Sequence, residues 1–218
     1  MPSSEAVREW NWIQPFIAKR RIIFTNATVS KNGHISFRNR CTSMTPKERS
    51  RLEELDCILR SNTVREQISP VISRVRAELE RKPEALMTWE PIPLAAFGGA
   101  LPTGTRSGWV FVLRAGTDTG IERHPNSHQR MMSMEGSGDM RTEEEGKWRS
   151  NFLISKSDAS LEQRWISIPV NAWHRPVVNS DCDWVVVSFH TVPAEELIEE
   201  RPRASTADGS KRMRYFDA

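Results

Sequence analysis

The chain is expected to be a mainly β barrel or sandwich with a helical segment in front of it. Three observations lead there. From Trp89 onward, short apolar runs at 108–113, 130–134, 165–168 and 184–189 are separated by Gly, Pro, Asn, Asp and Ser, the punctuation of strands and turns. Before that point apolar residues recur every three or four positions, the helical period. A length of 218 residues and a hydrophobic fraction of 38% suit one globular domain with an appendage rather than several domains.

Taken in order, residues 5–18 suggest a short amphipathic helix broken near Pro15. The apolar-rich stretches 21–29 and 34–37 flank Lys31-Asn32-Gly33, and Asn-Gly favours a tight hairpin turn. Thr45-Pro46-Lys47-Glu48 is a helix start: Thr as N-cap, Pro in the first turn, and Glu three residues on to complete a capping box. Leu52, Leu55 and Leu59 give that helix one apolar face. A second helix is expected from Ser69-Pro70, with Val71, Ile72, Val75 and Leu79 inward, stopping before Pro83. Residues 141–150, carrying Glu143-Glu144-Glu145, read as a charged, solvated loop, and 193–200 as a short helix. The organisation is therefore an extension over 1–87 that packs on the barrel or on a second subunit, a barrel over 88–198, and a polar, flexible tail over 199–218.

Composition narrows the function classes. Residues 1–82 hold 16 Lys/Arg against 9 Asp/Glu, and the remainder 15 against 19. No recognition-helix pattern, zinc finger or interleaving of aromatic and basic residues accompanies that basic segment, so nucleic acid is not an expected partner. No apolar run approaches the ~20 residues that cross a membrane. Glu5, Arg8 and Glu9 interrupt what a signal peptide would keep apolar. Cys41, Cys57 and Cys182 are odd in number and lack Cys-x-x-Cys spacing, as expected of reduced, mostly buried thiols in a cytoplasmic protein. Trp109, Trp165 and Trp184 sit in the strand-like runs as core residues, while Trp173 is placed to line a pocket.

The five histidines are His34, His124, His128, His174 and His190. Glu122 and His124, two apart on an extended segment, share a face. His128 follows the Pro125-Asn126-Ser127 turn and can return toward that face, and His174 comes from a distant strand. Neutral imidazoles with a carboxylate suit a divalent first-row metal: iron, manganese, nickel or zinc. His34 and His190 read as surface or hydrogen-bonded residues.

Around these residues the spacing is specific. Gly116 is followed by five residues, Glu122-Arg123-His124, four residues, Gln129, six residues and Gly136. Downstream stand Pro169-Val170-Asn171-Ala172-Trp173-His174 and Asn179. The two stretches resemble the paired motifs of the cupins, Gly-x5-His-x-His-x3–4-Glu-x6-Gly and Pro-x-Gly-x-x-His-x3-Asn. Glu122 replaces the first His, Gln129 replaces the Glu, and Asn179 falls one residue late.

The resemblance implies a double-stranded β-helix, or jelly-roll barrel, commonly a homodimer, with a metal held by barrel histidines. His124, His128 and His174 are the implied ligands, His128 standing in for the lost Glu. Glu122 is either a ligand or an acid/base group beside the metal. Arg114, Arg123 or Arg130 would pair with a substrate carboxylate. The leading expectation is a non-haem iron(II) oxygenase acting on a small polar organic molecule. The alternatives are a non-catalytic small-molecule or metal sensor, and a metal-dependent isomerase or lyase. Cupins share a barrel across many chemistries, so the barrel alone selects none of them.

Overall fold

A computed structural model describes residues 44–99, 101–202 and 210–214. The helix expected over 5–18, the hairpin over 21–38, His34 and Cys41 lie outside the described residues. Among the described residues two helices come first, α1 (Pro46–Arg60) and α2 (Asn62–Arg81). Eleven strands follow. They are β1 (Met87–Ile92), β2 (Ser107–Leu113), β3 (Gln129–Glu135), β4 (Ser137–Glu144), β5 (Lys147–Arg149), β6 (Phe152–Ile154), β7 (Trp165–Ile168), β8 (His174–Val178), β9 (Trp184–His190), β10 (Ile198–Pro202) and β11 (Ser210–Arg214). A single turn of helix, α3 (Leu161–Arg164), leads into β7.

Thr45 caps α1 by accepting from the Glu48 N–H at 3.2 Å, as the sequence predicts. The other half of the expected box is diverted, because the Glu48 carboxylate bonds Arg130 and Ser167 instead. The second helix departs from expectation at its start. It begins at Asn62, capped by Ser61, and runs through Pro70. Proline removes one intrahelical bond, but Val64, Ile68, Val71, Ile72, Val75 and Leu79 form one unbroken buried stripe. That stripe packs on β1 and β2 in a core shared with Val110, Val112, Val185, Val187 and Phe189. Burial at roughly 25 cal/mol per Å² of apolar surface along a twenty-residue helix outweighs one proline.

Five strands form an antiparallel sheet in the order β1-β2-β9-β3-β7; β4 pairs with β5, β6 and β8 in a second one. Period-two alternation divides each strand between two environments. On β9, Val185, Val187 and Phe189 face the helices, while Trp184 and Val186 face the second sheet. Between the sheets lies a separate core of Trp109, Phe111, Leu113, Met131, Met140, Leu153 and Val178. The architecture is thus mainly β, a barrel of two facing antiparallel sheets with helices on its outer wall.

Four further expectations are corrected. Residues 141–150 are not an open loop: β4 and β5 pair through a tight turn at Glu145 and Gly146, both at positive φ. The polar tail is ordered at its start, where β10 pairs with β11 and buries Glu199 and Glu200. Residues 193–200 form a 3-10 turn, Ala194–Glu196, before that strand. Cys57 and Cys182 are exposed rather than buried. Among the described residues, no helix is long and apolar enough to cross a membrane.

Candidate metal centre

Backbone pairing brings the two motifs together. Glu122 and His174 exchange both main-chain hydrogen bonds, at 2.9 and 2.8 Å, so their side chains lie side by side on the inner face. One turn away, the Asn171 N–H donates to the His124 carbonyl at 2.9 Å. Asn171 has φ +68°, at the third position of a turn closed by the Ala172 N–H and the Pro169 carbonyl. Glycine and asparagine are the residues that tolerate this conformation, so asparagine here replaces the motif's glycine without losing the turn.

Glu122, His124 and His174 are all buried and offer one ligand atom each, all within 4.8 Å of one another. The outer nitrogens of both imidazoles are committed. His124 Nδ1 lies 3.0 Å from the Ile198 carbonyl and His174 Nδ1 lies 3.1 Å from the Ala172 carbonyl. A carbonyl only accepts, so Nδ1 carries the proton and Nε2 is the lone-pair nitrogen in each ring. His174 Nε2 faces Glu122 Oε1 at 3.4 Å and has no hydrogen-bond partner. A bound cation or a shared proton would satisfy this nitrogen and the carboxylate oxygen opposite it.

Charge in the site follows from its surroundings. Burial pushes the Glu122 carboxyl up, but Arg201 and the two histidines outweigh it and hold the group at about 2. Arg201, from β10, donates to Glu122 Oε2 at 2.5 Å and to the Thr119 carbonyl. Burial, and secondarily His174, lowers His124 to about 4. The resulting site has an ionised carboxylate and a neutral His124, the protonation states a divalent ion requires.

His128, expected as a ligand, does not join this cluster. Its Nε2 lies 2.7 Å from Ser167 Oγ and 3.4 Å from Glu48 Oε1, on the helix-facing side of the sheet. Alternation is the reason: Gln129 begins β3 pointing inward, so its neighbours His128 and Arg130 point outward. Gln129 is buried, donates to Ser188 Oγ at 3.1 Å and leaves its Oε1 without a partner. It borders a small pocket, about 20 Å³, shared with Glu122 and Ser188.

The arginines expected at a substrate are engaged elsewhere. Arg114 caps the C-terminus of α2, donating to the carbonyls of Leu79, Lys82 and Ala85. Arg130 makes a two-pronged pair with Glu48. Arg123 pairs with Glu200 and lies 4.2 Å over the Trp173 ring, so Trp173 stacks on an arginine beside the site. Arg201 is the arginine that reaches Glu122, and its place in a polar tail hid it. His190 was also passed over. It closes β9 on the same face as Trp184 and Val186, with its ring 5.0 Å from that of His124. Ser188, a polar residue on that face of an apolar strand, was the available signal.

The fold and the cluster together define a two-sheet β-barrel with a candidate divalent-metal centre. No family model matches the chain, and no curated protein does. Among solved structures the chain is similar to the capsular polysaccharide assembling protein CapF from Staphylococcus aureus, at 15% identity and a TM-score of 0.39, over 50% of this chain and 29% of that one. It is also similar to a formate complex of oxalate decarboxylase from Lactobacillus farciminis, at 16% identity and a TM-score of 0.39, over 50% and 29%. A third is the Bacillus subtilis oxalate decarboxylase, whose structure concerns its Mn(II) centres, at 14% identity and a TM-score of 0.37, over 49% and 25%. The chain spans less than a third of the length of each of these proteins.

Proposed function

We propose that the protein is a metal-dependent enzyme, a non-haem iron(II) oxygenase acting on a small polar organic molecule, with Glu122, His124 and His174 holding the ion. The carrying observation is the buried cluster itself, with His174 Nε2 3.4 Å from Glu122 Oε1 and His124 beside them. Two imidazoles and one carboxylate with open positions is the donor set of iron(II) oxygenases, which is why iron is preferred over manganese, nickel or zinc. Iron in such a set, when bound, supplies positions where substrate and oxygen meet. The chain's own residues do the remainder. Arg201 holds Glu122 ionised, the Ile198 and Ala172 carbonyls fix the two rings, and the apolar core of the barrel excludes water.

Metal analysis of protein purified without chelator tests this reading. Near-stoichiometric iron with substrate-dependent oxygen uptake supports it; metal-free protein, with no uptake after iron is added, overturns it. Glu122→Gln separates the two roles open to that residue. A ligand loses metal affinity on this change, whereas an acid/base group keeps the metal and loses turnover.

One observation favours a second reading. The β10 strap closes over the cluster, with Glu199 and Glu200 at 1% and 2% exposure, as suits a metal or small-molecule sensor that performs no chemistry. Bound zinc and no turnover would select it, and turnover without oxygen would select an isomerase or lyase. We also propose a homodimer. Trp148 and Phe152, each 43% exposed on the short strands β5 and β6, supply an apolar edge suited to a second copy. Light scattering checks it, and a monomer at all concentrations would refute it.

A further inference from the structure

We propose that His190 is a fourth coordinating side chain of the metal centre, taking the place that neither His128 nor Gln129 fills; the inference rests on the metal-binding reading above. His190 ends β9, is 1% exposed, and lies directly across the strand pair from Gln129. Its ring meets that of His124 edge to face at 5.0 Å, so it adjoins the three-residue cluster from the wall of the five-stranded sheet.

The hydrogen bonds around the ring decide which nitrogen faces inward. Ser127 Oγ lies 3.2 Å from His190 Nδ1 and donates to the His128 carbonyl. Where Ser127 gives its proton to the His128 carbonyl, it accepts from His190, which places the ring proton on Nδ1 and the lone pair on Nε2. His124 and His174 show the same pattern, each giving its Nδ1 proton to a carbonyl. An outer acceptor that fixes the ring and turns Nε2 inward is the arrangement of metal-bound histidines.

The wall is also short of partners in one particular sense. His190 Nε2, His174 Nε2 and Gln129 Oε1 are buried and make no hydrogen bond in the protein. All three are acceptors. Buried acceptors left in this way are satisfied by a donor or a cation, and a divalent ion answers the two imidazoles at once. His190 stands outside the set whose atoms fall within 4.8 Å of one another, so the proposal requires its side chain to close on the ion as it binds.

The experiment uses the full chain, stripped with chelator and titrated with Co²⁺, read by visible absorption and by competition for affinity. We expect His190→Ala to lower Co²⁺ affinity at least ~tenfold and to change the intensity of the cobalt bands, which reports a lost ligand. His190→Asn retains a donor for Ser127 while deleting Nε2, and is expected to behave alike; it serves if the alanine variant fails to fold. His128→Ala should match the wild type in both readouts. Wild-type affinity and spectrum in a folded His190 variant overturn the proposal while leaving the three-residue centre intact. A wild-type protein that binds no Co²⁺ overturns both.

Discussion

On the helix-facing side of the five-stranded sheet, Arg130 meets Glu48 with both prongs, and Ser167 and His128 complete the group. Nearby, buried Asp56 takes bonds from Arg164 and from the Trp165 indole. On the barrel side of the same sheet, Gln129 and His190 each carry a buried atom with no partner. Both faces bury polar groups, which is unfavourable in either place. The outer face meets that cost with protein partners and so works as a clasp between α1 and the sheet. The inner face leaves it unmet, which marks the place for something the chain does not supply. Completeness of pairing, rather than polarity or burial, separates the structural cluster from the candidate functional one.

The largest effect should come from breaking the outer clasp. Asp56→Ala strands the Arg164 guanidinium, 6% exposed, and removing one partner of a buried ion pair costs about 3–5 kcal/mol. Urea denaturation should show that loss with metal binding retained by the folded fraction. A change below about 1 kcal/mol would mean that the pair is not a clasp.

On the inner face the same experiment should invert. His124→Ala and His174→Ala are expected to abolish stoichiometric metal while the metal-free protein keeps its fold, since strand packing supplies most of the stability. Circular dichroism with metal analysis checks both, and unchanged metal content in either variant would remove the centre.

Acid should distinguish the faces next. His124, at about 4, and His190, well below its ordinary range, are held neutral first by burial and then by their neighbouring histidines. The unfolded chain binds protons at these sites from about pH 6.5 downward and the folded chain does not. Their contribution is therefore complete above pH 6.5 and lost as the pH falls toward 4. Glu122 and Glu48 have depressed values, so theirs is lost only below the ordinary carboxylate range. Melting temperature of the metal-free protein should decline between pH 6.5 and 4, and His124→Gln should flatten that decline. An unchanged slope would refute the assignment.

The smallest effect is expected at His128, one bond from Ser167 and a quarter exposed. His128→Ala should cost about 1 kcal/mol or less and leave metal content untouched. Loss of metal there would return His128 to the centre and dissolve the distinction between the faces.

Much of this was legible in the chain itself. The runs at 108–113, 130–134, 165–168 and 184–189 each fall inside an observed strand, because alternating or continuous apolar residues between turn formers carry their own signal. Thr45 and the leucines of α1 stand where local capping and helical periodicity put them. Glu122, His124 and His174 were picked out by spacing, and those are the three the structure brings within 4.8 Å.

What the chain could not declare was side and partner. The strands β4, β5 and β8 carry polar and charged residues on their solvent face, so 141–150 read as a loop until the pairing of β4 with β5 and β8 supplied the missing hydrogen bonds. Pro70 read as a helix start because local propensity cannot weigh a stripe that becomes apolar surface only against β1 and β2. His128 stands on the helix-facing side and His190 on the barrel side for the same reason. In a strand of period two, a one-residue difference in register moves a side chain to the opposite face, and register is set by neighbouring strands distant in sequence. Local periodicity, capping and motif spacing settled most of the elements and singled out Glu122, His124 and His174. Which residues face one another came from the fold, since that depends on pairings that no local stretch contains.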